Sequence, residues 1–156
     1  MAHRIGLISD THGLVRPSVH TALAGVECIL HAGDVGGDDI MRELALIAPI
    51  EAVYGNTDAP GQPALRQRIQ RTFDDVRVLV THGHELGRPK PEQLFATYDA
   101  DVIVYGHTHR QVIAHEGTRL VVNPGAAGPR RFDLQPCVAI LTIDGNVASA
   151  ELVPLE

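Results

Sequence analysis

Short apolar segments alternate with amphipathic ones through the first half of the chain. The apolar segments have the length and β-branched content of buried strands, and they are Arg4–Ser9, Cys28–His31 and Ile50–Val53. The amphipathic segments between them predict helices over Ser18–Ala24 and Asp38–Ala48. In the second helix, Ile40, Leu44 and Ile47 recur at helical spacing. This β-α-β-α-β order is typical of parallel strands joined by crossover helices.

The second half of the chain changes to a run of hairpins. Strands are predicted at Leu65–Phe73, Val76–Thr81 and Asp101–Tyr105, and a helix at Pro91–Thr97. Two antiparallel hairpins follow, Gln111–His115 with Arg119–Asn123 and Cys137–Ile143 with Val147–Leu152. We therefore predict an α/β fold in which two mixed sheets pack as a β-sandwich flanked by helices. Residues 1–156 have the size of a single domain.

Composition narrows the classes of function. The net charge is −6 and the 13 basic residues are scattered, which argues against a nucleic-acid duplex as partner. The apolar runs fall short of the ~20 residues of a membrane-spanning helix, and the first residues lack the apolar stretch of a secretion signal. We expect a cytoplasmic protein without a membrane partner. Cys28 and Cys137 lie in apolar segments and are predicted to be buried thiols.

Polar clusters follow five of the predicted strands directly. They are Asp10-Thr11-His12, Gly33-Asp34, Gly55-Asn56, His82-Gly83-His84 and Gly106-His107-Thr108-His109. A glycine beside a polar residue is also what an ordinary turn contains, so one such cluster carries little weight. Ligand groups in open α/β sheets gather at the carboxyl ends of strands, and five clusters there indicate a site.

The side chains in these clusters are typical of a metal centre. Carboxylate, imidazole and amide groups without thiolate favour Mn, Fe, Zn, Co or Ni. On an extended segment residues i and i+2 point the same way, so Asp10 with His12, and His107 with His109, are each expected to address one centre. Asp34 has two oxygens and can bridge two ions.

The ordered motifs resemble those of the calcineurin-like metallophosphoesterases, in particular the small prokaryotic phosphodiesterase branch. The series is Asp-x-His, Gly-Asp, Gly-Asn, Thr-His and Gly-His-x-His, and together with Asn123-Pro124-Gly125 the resemblance covers residues 4 to about 128. It implies two divalent ions, with Mn expected and Fe, Zn, Ni or Co as alternatives. It also implies the ligands of each ion: Asp10, His12, Asp34 and His109 for one, and Asp34, Asn56, His82 and His107 for the other.

The same resemblance implies a phosphoesterase whose substrate is a small phosphodiester, with monoesters as a further class. A hydroxide that bridges two metal ions can attack phosphorus in line, so the protein itself needs no nucleophile. Asn56 contributes an oxygen without charge, which preserves the positive charge available to the substrate phosphate.

The residue after Asn56 departs from the pattern of many relatives. They carry a histidine there that can protonate the leaving group, whereas this chain has Thr57; the small prokaryotic branch shows the same kind of absence. We interpret His84 as a candidate for this proton transfer or for contact with the phosphate. Spacing alone leaves His82 and His84 open as the metal ligand, and the resemblance favours His82.

Several other polar residues have an interpretation of their own. Arg130 and Arg131 follow a Gly- and Pro-containing turn and could contact substrate, and we select Arg130 for this role. His31 could support the Asp34 loop, and Asp58 could either orient a histidine or cap a turn. Isolated histidines are interpreted as solvated or packed side chains, and these are His3, His20 and His115.

A second class of function is a protein-binding scaffold. One branch of the calcineurin-like fold, which this sequence resembles, serves as a scaffold in membrane-trafficking complexes after losing a metal ligand. All seven ligand positions are filled here, which favours an enzyme. A homo-oligomer is compatible with the sequence, which leaves the oligomeric state open.

Overall fold

The strands and helices follow the predicted order with small changes of length. The computed structural model describes residues 2–59, 61–131 and 133–156. In this part of the chain the strands are β1 His3–Ile8, β2 Cys28–His31, β3 Ile50–Val53, β4 Leu65–Arg66, β5 Arg68–Phe73, β6 Val76–Thr81, β7 Val102–Val104, β8 Val112–Glu116, β9 Arg119–Asn123, β10 Cys137–Asp144 and β11 Val147–Pro154. The helices are α1 Pro17–Ala22, α2 Asp38–Ala45 and α3 Pro91–Thr97, and a 3₁₀ turn spans His84–Leu86.

These strands form two mixed sheets. Within the described ranges one sheet has the order β11-β10-β1-β2-β3-β4 and the other β5-β6-β7-β9-β8. Strands β1 to β4 are parallel, as the βαβ pattern predicts. The prediction of one strand over Leu65–Phe73 is wrong, because the segment divides between β4 in the first sheet and β5 in the second. The prediction of an antiparallel tail is wrong in part, since β9 is antiparallel to β8 but parallel to β7.

The main core lies between the two sheets. Leu30 and Val104, one from each sheet, belong to this buried cluster. The outer face of the first sheet packs on α1 and α2 through Val19 and Leu44, and that of the second sheet packs on α3 through Leu94. This layering confirms the predicted sandwich flanked by helices. Among the residues described, no helix has the length and apolar character required to cross a membrane.

The loops that follow β1 and β2 remain paired beyond the ends of their strands. The Asp10 N–H donates to the Gly33 carbonyl and the His12 N–H to the Asp34 carbonyl, each at 2.9 Å. The two loops therefore leave the sheet side by side. This pairing brings the first two polar clusters together at the carboxyl edge of the parallel strands.

Candidate metal centre

Asp10 lies at the centre of one group of candidate ligands. Its Oδ2 accepts hydrogen bonds from Ser9 Oγ at 2.6 Å and from the backbone N–H of His107 at 3.1 Å. Its Oδ1 has no hydrogen-bond partner in the described part of the chain. This oxygen lies 3.3 Å from His109 Nε2 and 3.7 Å from His12 Nε2. One oxygen is thus held by the protein, and the other faces two imidazole nitrogens in an arrangement that fits a shared cation.

Asp34, Asn56 and His82 form the second group. The Thr57 N–H donates to Asp34 Oδ1 at 2.9 Å, and the Ala32 carbonyl accepts from His82 Nδ1 at 2.8 Å. Because a carbonyl only accepts, it selects the tautomer whose Nε2 is free to bind metal. That Nε2 lies 3.2 Å from Asp34 Oδ2 and 3.0 Å from Asn56 Oδ1.

A single oxygen of Asp34 connects the two groups. Its Oδ2 lies 3.6 Å from His12 Nε2 as well as 3.2 Å from His82 Nε2. The side chains of Asp10, His12 and His109 offer ligand atoms within 4.8 Å of one another, and so do those of Asp10, Asp34 and His82. This set of nitrogen and oxygen donors fits divalent transition metals.

Both carboxylates are ionised at neutral pH. Burial raises the pKa of Asp10, but the imidazoles of His109 and His12 outweigh burial and hold the pKa well below its ordinary value. Burial also acts against ionisation of Asp34, yet the nearby His82 lowers its pKa to about 2. In His82, burial lowers the pKa and the Asp34 carboxylate raises it, with a net rise. The negative charge that raises this pKa also favours a cation at the same nitrogen.

The backbone of five candidate ligands is left-handed. The φ angles are +54° at Asp10, +44° at His12, +56° at Asp34, +69° at His107 and +63° at His109. The prediction that His107 and His109 address one centre assumed an extended backbone, and these φ angles contradict that assumption. His109 lies with Asp10 and His12, whereas the His107 ring lies 5.2 Å from that of His82. Such conformations cost about 1–3 kcal/mol each and persist where surrounding contacts hold them.

A buried network joins the first two ligand loops. The Gly33 N–H donates to His31 Nδ1 at 3.1 Å, so the ring proton is on Nε2, which contacts Thr11 Oγ1 at 2.9 Å. The Thr11 hydroxyl in turn donates to the Val35 carbonyl at 2.7 Å. Burial lowers the pKa of His31 to about 4, which keeps the ring neutral. The structure thus supports the interpretation of His31 as a support of the Asp34 loop, and Thr11 is a partner that the sequence did not indicate.

Asp58 caps backbone groups of two loops. Its carboxylate accepts from the N–H groups of Val35 and Gly36 at 3.1 Å and of Gly55 at 2.8 Å. Of the two interpretations, the structure therefore supports turn capping rather than orientation of a histidine. The isolated histidines His3 and His20 contact exposed carboxylates, as expected of side chains outside the site.

Two cavities adjoin the candidate ligands. One, of about 210 Å³, is lined by His12, Asp34, Asn56, Thr57, Arg88, His107, Thr108, His109 and Arg131. The other, of about 320 Å³, is lined by Tyr54, Gly55, Asn56, Asp58, Gly61 and His84. Arg130 is exposed and is not among these lining residues, and its contact with substrate stays a prediction. Arg88 was missed, and its only signal in the sequence is its position shortly after the His82-Gly83-His84 cluster.

His84 lies beside the ligand groups. Its ring centroid is 5.2 Å from that of His82 and 6.2 Å from that of His107. Its Nδ1 is buried without a hydrogen-bond partner among the residues described. The ring is therefore near the site, and its chemical role stays a prediction.

Comparison with known proteins decides the family. The model of the calcineurin-like phosphoesterase superfamily domain matches residues 3–146. The chain belongs to this superfamily. This calcineurin-like phosphoesterase is 39% identical, over 159 aligned residues, to a probable metallophosphoesterase of Methanothermobacter thermautotrophicus. The alignment covers 96% of this chain and 91% of that protein.

Solved structures of similar proteins agree with this assignment. A novel archaeal phosphodiesterase matches this calcineurin-like phosphoesterase with a TM-score of 0.75 and 27% identity, over 97% of this chain and 99% of the other. Vps29 of Entamoeba histolytica, solved with Zn²⁺, matches with a TM-score of 0.80 and 20% identity, over 97% and 98%. At this identity the likeness to Vps29 shows the fold alone.

Proposed function

We propose that this calcineurin-like phosphoesterase hydrolyses small phosphodiesters, and also monoesters, at a centre of two divalent metal ions. The observation that carries the proposal is the position of Asp34 Oδ2 between His12 Nε2 and His82 Nε2, at 3.6 and 3.2 Å. A carboxylate shared by two groups of ligands suits two-metal sites, in which the ions lie ~3.5–4 Å apart. The names of the relatives support phosphoester hydrolysis.

The chain's own residues hold and orient the two sites. The ligands of one ion are Asp10, His12, Asp34 and His109, and those of the other are Asp34, Asn56, His82 and His107. When bound, the ions supply an activated water and positive charge for the phosphate oxygens, and Mn²⁺ is the expected metal. The Ser9 hydroxyl donates to one oxygen of Asp10 and the Thr57 N–H to one oxygen of Asp34, which leaves the second oxygen of each carboxylate free for metal. Asn56 is a neutral ligand within reach of the substrate phosphate.

The central test combines metal content with turnover. Wild type loaded with Mn²⁺ should bind two ions and hydrolyse bis-p-nitrophenyl phosphate. Asp34→Asn removes the shared charge, and we expect it to bind fewer ions and to lose roughly 100-fold or more in kcat. Asp133→Asn, at an exposed position, makes the same chemical change and should match wild type. Two bound ions and full turnover in Asp34→Asn would exclude the bridging role.

His84 is our candidate for phosphate contact and for proton donation to the leaving group. If it donates a proton, His84→Ala should slow esters with alkyl leaving groups by roughly 100-fold. Esters of p-nitrophenol need no such acid and should lose much less. Exposed His115→Ala is the matched control. An equal loss on both kinds of ester would exclude proton donation.

The likeness to Vps29 keeps a non-catalytic scaffold as the second candidate. A scaffold would show no turnover in the central test. Metal binding alone does not distinguish the two candidates, since Vps29 of Entamoeba histolytica was solved with Zn²⁺. A small phosphate ester as partner and a cytoplasmic location remain predictions.

A further inference from the structure

Two arginines line the cavity that contains the metal-binding side chains. Arg88 follows the 3₁₀ turn after β6, and Arg131 lies in the segment between β9 and β10. Both belong to the wall of the 210 Å³ cavity, together with the ligands of both candidate ions. Two segments distant in the chain thus each contribute one cation to the same cavity.

Both guanidinium groups are available for a ligand. Within the described ranges, neither side chain makes a hydrogen bond or an ion pair with another residue. Three other arginines are paired: Arg71 contacts Glu51, Arg77 contacts Asp99 and Asp101, and Arg119 contacts Glu116. Arg88 and Arg131 therefore keep their charge and their fork of five N–H donors each for an anion.

The second cavity has the opposite character. It meets the first at Asn56, and its lining includes the Asp58 carboxylate but, among the residues described, no arginine or lysine. A ligand phosphate near Asn56 therefore has two arginines on one side and, among the residues described, neither arginine nor lysine on the other. An anionic substituent of the ligand is favoured on the basic side.

We propose that Arg88 and Arg131 bind a second anionic group of the substrate, a carboxylate or phosphate a few bonds from the scissile phosphate. This inference rests on the proposed phosphoesterase function and names its substrate class, a phosphoester with a second negative charge. A guanidinium group matches either anion through two parallel hydrogen bonds. The cavity of about 210 Å³ accommodates a small anionic group beside the scissile phosphate.

The test measures binding of two matched ligands to the Mn²⁺-loaded protein. The ligands are the phosphonate analogues of glycerol 3-phosphate and 3-phosphoglycerate, in which CH2 replaces the ester oxygen. They differ in that one has a carboxylate where the other has a hydroxymethyl group, and neither can be hydrolysed, so calorimetry gives the Kd of each without turnover. Wild type should bind the 3-phosphoglycerate analogue roughly tenfold more tightly. Arg88→Gln and Arg131→Gln should each reduce this preference by roughly threefold, a modest change because both side chains are exposed. The double variant should abolish it.

Arg42→Gln is the matched control, because Arg42 is exposed on α2 and makes no side-chain hydrogen bond or ion pair with the residues described. It should retain the wild-type preference. Equal Kd values for the two ligands in wild type would overturn the proposal. So would an unchanged preference in the double variant, or an equal loss of affinity for both ligands, which would place the arginines on the scissile phosphate. Failure of the proposed function is observed separately, as absence of bis-p-nitrophenyl phosphate hydrolysis by wild type.

Discussion

Thr11 lies between two candidate metal ligands in the chain, yet its hydroxyl contacts the neighbouring loop. It bridges His31 Nε2 and the Val35 carbonyl inside the protein. Asp10 and His12 on either side of it have strained backbone conformations. We infer that this hydroxyl is a positioning group that holds the two ligand loops at a fixed separation.

Substitution of Thr11 tests this inference. Thr11→Val keeps the shape of the side chain but leaves the buried His31 Nε2–H without an acceptor, at a cost of about 1–3 kcal/mol. The Val35 carbonyl still accepts from the Gly13 N–H. We expect metal affinity to fall by roughly 10- to 100-fold, as for other groups that orient ligands. Thr11→Ser retains the hydroxyl and should restore metal affinity. Metal titration by calorimetry, well below the unfolding temperature, separates this effect from stability. Equal affinity in the Val and Ser variants would rule out the positioning role.

Residue identity indicated some roles and left others undecided. The seven candidate ligands were selected from their types and order, and the structure brings Asp10, His12, Asp34, His82 and His109 within ligand distance of one another in two groups. The contacts of Asp58 and the absence of Arg130 from the cavity lining could not be inferred, because side-chain orientation depends on neighbours distant in the chain.

At the scale of elements, the glycines at strand ends allow loops to approach closely. Gly55, Gly106 and Gly128 do not have positive φ angles, so conformational freedom does not explain them. A Cβ at Gly55 would overlap Asp34, one at Gly106 would overlap Ser9, and one at Gly128 would overlap the Thr11 backbone. These three positions are occupied by glycine because the loops that connect the strands converge there.

Gly106→Ala should disturb the site more than the fold. Its Cβ would overlap Ser9 Oγ and lie 2.7 Å from Asp10 Oδ2, which displaces the pair that orients Asp10. Overpacking of this kind costs about 1–3 kcal/mol, and we expect metal affinity to fall by roughly tenfold or more. Gly117→Ala, with positive φ but open space, should lower stability without changing metal affinity. Unchanged metal affinity in Gly106→Ala would contradict this prediction, because it would mean that the loops move to accommodate the added Cβ without displacing Asp10.

At the scale of the whole molecule, buried His31 makes stability depend on pH. Its pKa is about 4 in the folded protein and about 6.5 in an unfolded chain. Between these values the unfolded chain binds the additional proton, so stability falls as pH decreases from 6.5 to 4 and this contribution levels off below 4. The corresponding loss is roughly 3 kcal/mol.

Urea unfolding of chelator-treated wild type and His31→Gln between pH 4 and 7 measures this contribution. The stability of wild type should approach that of the variant, or fall below it, as pH decreases through the window. The other titrating groups are common to both proteins, so their contributions largely cancel. If the free energies of unfolding of wild type and His31→Gln change in parallel between pH 4 and 7, His31 does not contribute to the pH dependence.

The amino-acid sequence was sufficient to predict the alternation of strands and helices, the sandwich of mixed sheets, the buried thiols Cys28 and Cys137 and the set of candidate ligands. These features depend on local periodicity and residue chemistry, which are readable along the chain. The division at Gln67, the left-handed backbone of the ligand loops and the distances from Asp34 Oδ2 to His12 and His82 became known only from the folded structure. These depend on pairing between sheets and on left-handed loop conformations that non-local hydrogen bonds stabilise, and no local pattern reports them.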